Sequence, residues 1–183
     1  MLDFRVSPRE ETLEDWLLLF FLFSAAGWAW EVLLTACTTG QWVNRGMLHG
    51  PWLPVYGVGG VLLAAVLGRI GGKGAALLAG AAIGGGVEYG TAWALERLYR
   101  QRWWNYTGWV GSIHGRVCLA SLTGFAAAGW LAAWVSPAVL EWLGKRRSNV
   151  RTVVCRSVSV VYAWDWAASL ISPNGGAGVS CPL

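Results

Sequence analysis

The sequence predicts an all-α, polytopic membrane protein: four transmembrane helices in two hairpins, preceded by a short N-terminal amphipathic helix. Three observations predict it. Hydrophobic residues make up 55% of the 183 and charged residues only 13%, against about 25% charged in an ordinary soluble domain. Mean hydropathy is +0.45. Four apolar stretches reach or approach the roughly 20 residues a span needs, and Lys and Arg sort to alternate flanks of those stretches. One compact membrane domain is expected at this length. It divides into a cytoplasmic or interfacial segment at 1–15, a four-helix transmembrane domain at 16–144, and a basic tail at 145–183 that is poorly ordered or interfacial.

Residues 1–15 set Glu10, Glu11, Glu14 and Asp15 against Arg5 and Arg9, a poor positive leader region. An uncleaved first helix is therefore expected rather than a signal peptide. Ser7-Pro8-Arg9-Glu10 offers a Ser N-cap, a Pro at the first helical position and a Glu three residues after the cap, so the amphipathic helix starts there and runs into the first span. That span, 16–37, has Glu31 as its only charge. The second, 51–68, is short and glycine-rich. The third, 74–95, carries only Glu88, and the fourth, about 112–135, opens with Arg116. Residues 152–171 are apolar but broken by Arg156 and Asp165, so no fifth span is expected. The closing SPNGGAGVSCPL is turn and coil material.

Arg5, Arg9, Arg69, Lys73 and the cluster Lys145, Arg146, Arg147, Arg151 and Arg156 fall on one side. Arg45, Arg97, Arg100 and Arg102 fall on the other. The positive-inside rule then puts both termini in the cytoplasm of a multi-pass plasma-membrane protein. Loops 38–50 and 96–111 share the outer face, where Trp42, Trp52, Trp103, Trp104 and Trp109 form an interfacial belt. The net charge of +4 comes largely from the C-terminal cluster. It reads as a topology signal and a contact for anionic membrane lipids, not as a nucleic-acid surface.

A charge at the bilayer centre costs roughly 2.5–3.5 kcal/mol, so Glu31, Glu88 and Arg116 must face protein or a polar path. Small residues mark those faces: Ser24, Gly27, Glu31 and Thr35 on the first helix, Gly80, Gly84 and Glu88 on the third, Arg116, Ala120 and Gly124 on the fourth. Both glutamates lie ~21–23 Å from the cytoplasmic end at 1.5 Å per residue. Arg116, entering from the other side, reaches a similar level. The three are expected to meet in the outer half of the bilayer, as a cation or proton site with Arg116 as counter-ion, or as a buried ion pair that only fixes packing.

Other candidates sit in the loops. Asn44, Arg45 and His49 stand in NRGMLHGPWLPVYG, whose prolines and glycines suggest a re-entrant or broken-helix entry covered by protein or water. Arg45 either holds an anionic group or snorkels to phosphate. Arg102-Trp103-Trp104-Asn105-Tyr106 forms an aromatic platform at the outer mouth or an interfacial anchor. His114 and His49 lie near Cys37 and Cys118, but no spacing enforces a metal, and none is expected. Cys37, Cys118, Cys155 and Cys181 read as isolated cysteines, with a Cys37–Cys118 disulfide as the second reading. Glu96 and Arg100 read as a surface pair. The blocks leading to His49-Gly50 and His114-Gly115 form a faint repeat of the kind seen in two-hairpin transporters.

Several of these segments together resemble the family named putative ABC transporter permease (putative ABC-transporter type IV). They are Gly27-Trp28-Ala29-Trp30-Glu31, the run VNRGMLHGPWLPVYGVG from Val43 to Gly59, Glu88-Tyr89-Gly90-Thr91, Arg102 to Tyr106, and Gly115 to Leu119. The resemblance covers about 16–135. Asn105 stands where the family pattern has Asp, and Ile113-His114 replace a Leu-Asn pair. The family name implies transport.

No catalytic motif is present. Gly68 to Gly74 resembles a phosphate loop but lacks its four-residue interval and the Ser/Thr after Lys, and neither a nucleophile elbow nor a zinc-protease signature occurs. No cofactor is expected, and an ABC subunit of this kind takes ATP hydrolysis from another chain. The leading reading is a permease-like transport component, working as a homo-oligomer or with a separate ATPase or transport subunit. The alternatives are a membrane-embedded enzyme acting on lipid or a lipid-linked group through Glu31, Glu88 and His114, and a non-catalytic assembly subunit.

Overall fold

A computed structural model describes residues 11–67 and 72–175. The described chain is all-helical: α1 (Leu13–Thr39), α2 (Pro54–Leu67), α3 (Lys73–Tyr99), α4 (Leu119–Gly144) and α5 (Ser148–Ile171). Among the described residues α1 and α4 are long and apolar enough to cross a membrane, by length and composition. The apolar part of α2 is shorter.

The helix start expected at Ser7-Pro8 lies outside the described residues. The chain enters α1 at Thr12, whose hydroxyl accepts from Asp15 N while Asp15 Oδ2 accepts from Thr12 N at 2.9 Å. This reciprocal cap satisfies two donors that the first turn would otherwise leave open. Thr12→Ala is expected to cost about 1 kcal/mol in thermal or denaturant unfolding, and Thr12→Ser close to nothing.

Small residues set the helix crossings. A Cβ on Gly57 would run into Ser24 and Phe20 of α1, and one on Gly60 into Phe23. Gly27 receives the Tyr56 ring. Between α3 and α4 the approach is backbone to backbone at Gly80 and Gly129, and Gly84 packs under Phe125. Leu63, Ala76, Ala132 and Ala133 fill the space where α2, α3 and α4 converge.

The second apolar stretch is only partly helical. Leu53 N donates to Ser24 O at 3.0 Å, half-way along α1, and Trp28 Nε1 donates to Asn44 Oδ1. Residues 44–53 therefore descend beside α1 as irregular backbone, and α2 takes over at Pro54. Such a path needs its polar groups covered by protein, and side chains of α1 and α5 supply the cover.

The fourth helix begins at Leu119, not near 112. His114 (φ 52) and Gly115 (φ 71) adopt left-handed backbone, and Ile113 bridges back to Val117. Arg116 thus belongs to a turn and shares no helical stripe with Ala120 and Gly124. Cys118 caps the helix with Ser121, and α4 continues through Pro137 to Gly144. Cys37, Cys118 and Cys155 are free thiols; Cys181 lies outside the described residues.

Within the basic tail, Ser148–Ile171 forms a 24-residue helix. Arg151 Nη1 stands 3.4 Å from the buried Asp15, and Thr152 donates to Glu14 at 2.9 Å. Tyr162 packs edge-on against Phe20 and Phe21 at 5.5 and 5.4 Å. α5 therefore runs parallel to α1. Past its end, Asn174 N donates to Met47 O at 2.8 Å and Trp103 Nε1 donates to Asn174 O at 3.1 Å. Residues 171–175 thus reach the loop end of the bundle, opposite residues 11–15.

Candidate functional site

Glu31 and Glu88 each bond a tyrosine, and Arg116 bonds neither of them. Glu31, on α1, accepts a 2.6 Å hydrogen bond from Tyr56 OH, and Arg45 Nε stands 4.0 Å away. Glu88, on α3, is 6% exposed and accepts from Tyr106 OH at 3.1 Å. Its other oxygen, Oε2, has no hydrogen-bond partner. Ser121 is near enough to interact, but its hydroxyl proton goes to Cys118 O at 3.0 Å. The result is a carboxylate–tyrosine pair from each half of the bundle, with Arg45 as the cation at its edge. In the loop, burial pushes the Tyr106 phenol above its ordinary range, and the Glu88 carboxylate adds to the shift. Tyr106 consequently stays protonated and remains a donor.

Arg116 joins a different cluster. Its Nη2 and Nε bond Glu96 Oε2 at 2.7 and 3.2 Å, and Nη1 donates to Tyr89 OH at 2.9 Å. Arg102 Nε lies 3.0 Å from Glu96 Oε1. The reason is geometric: Glu96 is two turns beyond Glu88 on α3, ~12 Å higher, and the turn at 113–117 holds the guanidinium at that level. Glu96 is not the surface residue expected to pair with Arg100; it is 5% exposed between two arginines, while Arg100 is the left-handed cap of α3.

The loop candidates build structure around this core. Asn44 Nδ2 donates to His49 O at 2.7 Å, pinning the descending segment. Trp104 Nε1 donates to Arg116 O at 2.9 Å. Asn105 Oδ1 accepts from Thr107 N at 3.0 Å, from Thr107 Oγ1 and from Arg102 Nη1. All three are acceptor roles that the family's Asp fills equally well. His114 Nδ1 meets Tyr89 OH at 2.9 Å, on the Arg116 side. His49 belongs to a third cluster: its backbone N–H, that of Gly50 and Trp52 Nε1 all donate to Asp165 at 2.9–3.0 Å, and its Nδ1 lies 2.9 Å from Ser169 Oγ. Among the described residues no group of three or more His, Cys, Asp or Glu is placed to hold a metal.

Sequence reasoning missed the roles of Tyr56, Tyr89, Glu96 and Asp165. Tyr56 lay inside the Pro-x-Tyr-Gly segment already singled out. Asp165 carried the same signal as Glu31 and Glu88, one acid in an apolar run, but Arg156 disguised it as an interruption.

A family model described as putative ABC-transporter type IV matches residues 18–170. The match extends through α5, well past the stretch at 16–135 whose motifs carry the resemblance. No curated protein and no solved structure matches the chain.

Proposed function

The chain belongs to the putative ABC-transporter type IV family, and from that premise we propose that it is a permease-like transport component with no ATPase of its own. Its helices α1 to α4 span the membrane. Exposed Leu33, Leu34, Leu78, Trp93, Leu131 and Trp134 on α1, α3 and α4 support this, because a soluble fold does not present so much apolar surface to water. The buried set, by contrast, includes Ser24, Glu88, Ser136, Asp165 and Ser169.

The observation that carries the reading is Glu88. A buried carboxylate with one oxygen unsatisfied costs free energy that packing does not return. Such groups inside membranes serve ion or proton paths. The two carboxyls bind a cation or a proton, with Tyr56 and Tyr106 as donors beside them and Arg45 near Glu31. Four helices enclose little volume, so the component works with further copies or with a separate ATPase subunit.

The first experiment is a thermal-shift screen of purified protein against Na+, K+, protons, lipids and metabolites, followed by flux in proteoliposomes with the ligand found. Glu31→Gln and Glu88→Gln are expected to erase the shift and lower flux at least about tenfold, the equivalent of 1.4 kcal/mol. Glu88→Gln should keep or raise the unfolding temperature, since it removes an unpaired buried charge. If both variants simply unfold, the carboxylates are structural. Turnover in detergent without a gradient, lost in the same variants, would replace transport with catalysis on a lipid-linked substrate.

A further inference from the structure

α5 is built inside out. Polar or amphipathic residues dominate the side it turns toward the bundle, Arg151, Thr152, Tyr162, Asp165, Trp166 and Ser169, beside the apolar Cys155 and Val158, with Asp165 9% and Ser169 0% exposed. From Val153 on, its exposed residues other than Arg156 and Ser157 are apolar, with Val153, Val160, Val161, Trp164 and Ile171 between 56% and 88% exposed. A surface helix in water shows the reverse pattern. Hydrocarbon is the solvent for which this arrangement is correct, because in lipid the polar groups gather between helices.

Three further facts fix where that hydrocarbon lies. α5 follows α1 upward from the Glu14–Arg151 contact to the Asp165 clamp on residues 49–52, so it stands along the bundle and does not lie flat beneath it. Its 24 residues span ~36 Å, more than the roughly 30 Å hydrocarbon layer. Lys145, Arg146, Arg147, Arg151 and Arg156 gather at its start, and no Lys or Arg follows Arg156. Arg156, exposed one turn beyond Thr152, sits only ~6 Å above the level of Glu14, within snorkelling reach of the headgroups. The Asp165 charge is turned inward, where it accepts two backbone N–H groups and the Trp52 indole.

We infer that α5 is a fifth membrane crossing whose outward face is covered by lipid acyl chains, so that the residues before it and after it lie on opposite sides of the membrane. The inference rests on the membrane reading of α1 to α4 but not on any role of Glu31 or Glu88. Asp165 then becomes the pin that joins the last crossing to the descending segment of the second.

The test uses the full chain in cells, with Cys37, Cys118, Cys155 and Cys181 replaced by Ser. Lys145→Cys and Gly175→Cys are challenged with a membrane-impermeant maleimide before and after permeabilisation, and labelling in SDS gives the full-reactivity reference. Gly175→Cys is expected to react before permeabilisation and Lys145→Cys only afterwards. Reaction of both from the same side overturns the crossing, which is also the result if a soluble partner protein, not lipid, covers α5. Should the serine background fail to fold, C-terminal alkaline phosphatase and green fluorescent protein fusions to the unaltered chain read the same side. Loss of flux in reconstitution leaves this result standing, whereas recovery of the chain in the soluble fraction overturns both readings.

Discussion

Glu96→Ala is expected to destabilise the protein by about 3–5 kcal/mol, the range for removing one partner from a buried ionic cluster. Glu96 is a single carboxylate serving two guanidiniums: Arg116 through two hydrogen bonds and Arg102 at 3.0 Å. Both arginine side chains are themselves largely buried, at 16% and 17% exposure. Removing the carboxylate leaves two like charges close together in the loop that closes over α3, and neither can shed its proton. Glu96→Gln keeps an acceptor but loses the charge, so a loss on the order of 2 kcal/mol is expected. The cluster is worth far less as a whole than its pieces suggest. Replacing Glu96, Arg102 and Arg116 together by Leu, Met and Leu should recover most of the loss, since the desolvation cost of three ions disappears with them. Thermal unfolding in detergent, read by tryptophan fluorescence, orders the three variants. A single Glu96→Ala as stable as the unaltered protein would mean that the arginines find other partners.

This cluster also shows where sequence reasoning stopped. The helices α1, α3 and α4 and the membrane pattern were legible, because long apolar runs with few charges announce themselves through composition. The inward stripes on α1 and α3 were legible too: Ser24, Gly27, Gly80 and Gly84 do face neighbouring helices. The pairing of charges was not. Extending the fourth helix back to residue 112 placed Arg116 on a helical stripe, whereas left-handed backbone at His114 and Gly115 makes a turn there. Two residues at positive φ are invisible to a hydrophobic pattern, and they moved the guanidinium from Glu88 to Glu96. α5 was hidden for a related reason. Polar residues on its inner face dilute the apolar signal that marks α1, so an average over the segment reads as neither span nor loop. Its direction along α1 is carried by long-range contacts such as Arg151 with Asp15 and Asp165 with Gly50, and no local pattern encodes those.

The other large effect belongs to the crossing of α3 and α4. A Cβ on Gly129 would stand 2.6 Å from Gly80 Cα and 2.9 Å from Ala76 O; one on Gly80 would stand 2.5 Å from Phe125 O. The obstacles are backbone atoms, which have no rotamer to change, so the helices themselves must separate. Overpacking ordinarily costs about 1–3 kcal/mol, and Gly129→Leu should reach or exceed the top of that range, because widening the crossing also loosens Ala132 and Ala133 against Ala76 and Leu63. In lipid there is little hydrophobic drive to press the helices back together; close van der Waals packing holds them. Gly124→Ala, on the same helix, and Gly86→Ala, on α3, are the controls. A Cβ at either meets nothing within 4 Å, and removing a helical glycine should gain up to about 1 kcal/mol. Unfolding measurements on the three variants therefore separate crowding from any general intolerance of glycine replacement. A Gly129→Leu protein as stable as Gly124→Ala would mean that α3 and α4 do not approach at Gly80. The Glu88–Tyr106 pair would then lose the frame that α4 gives to α3.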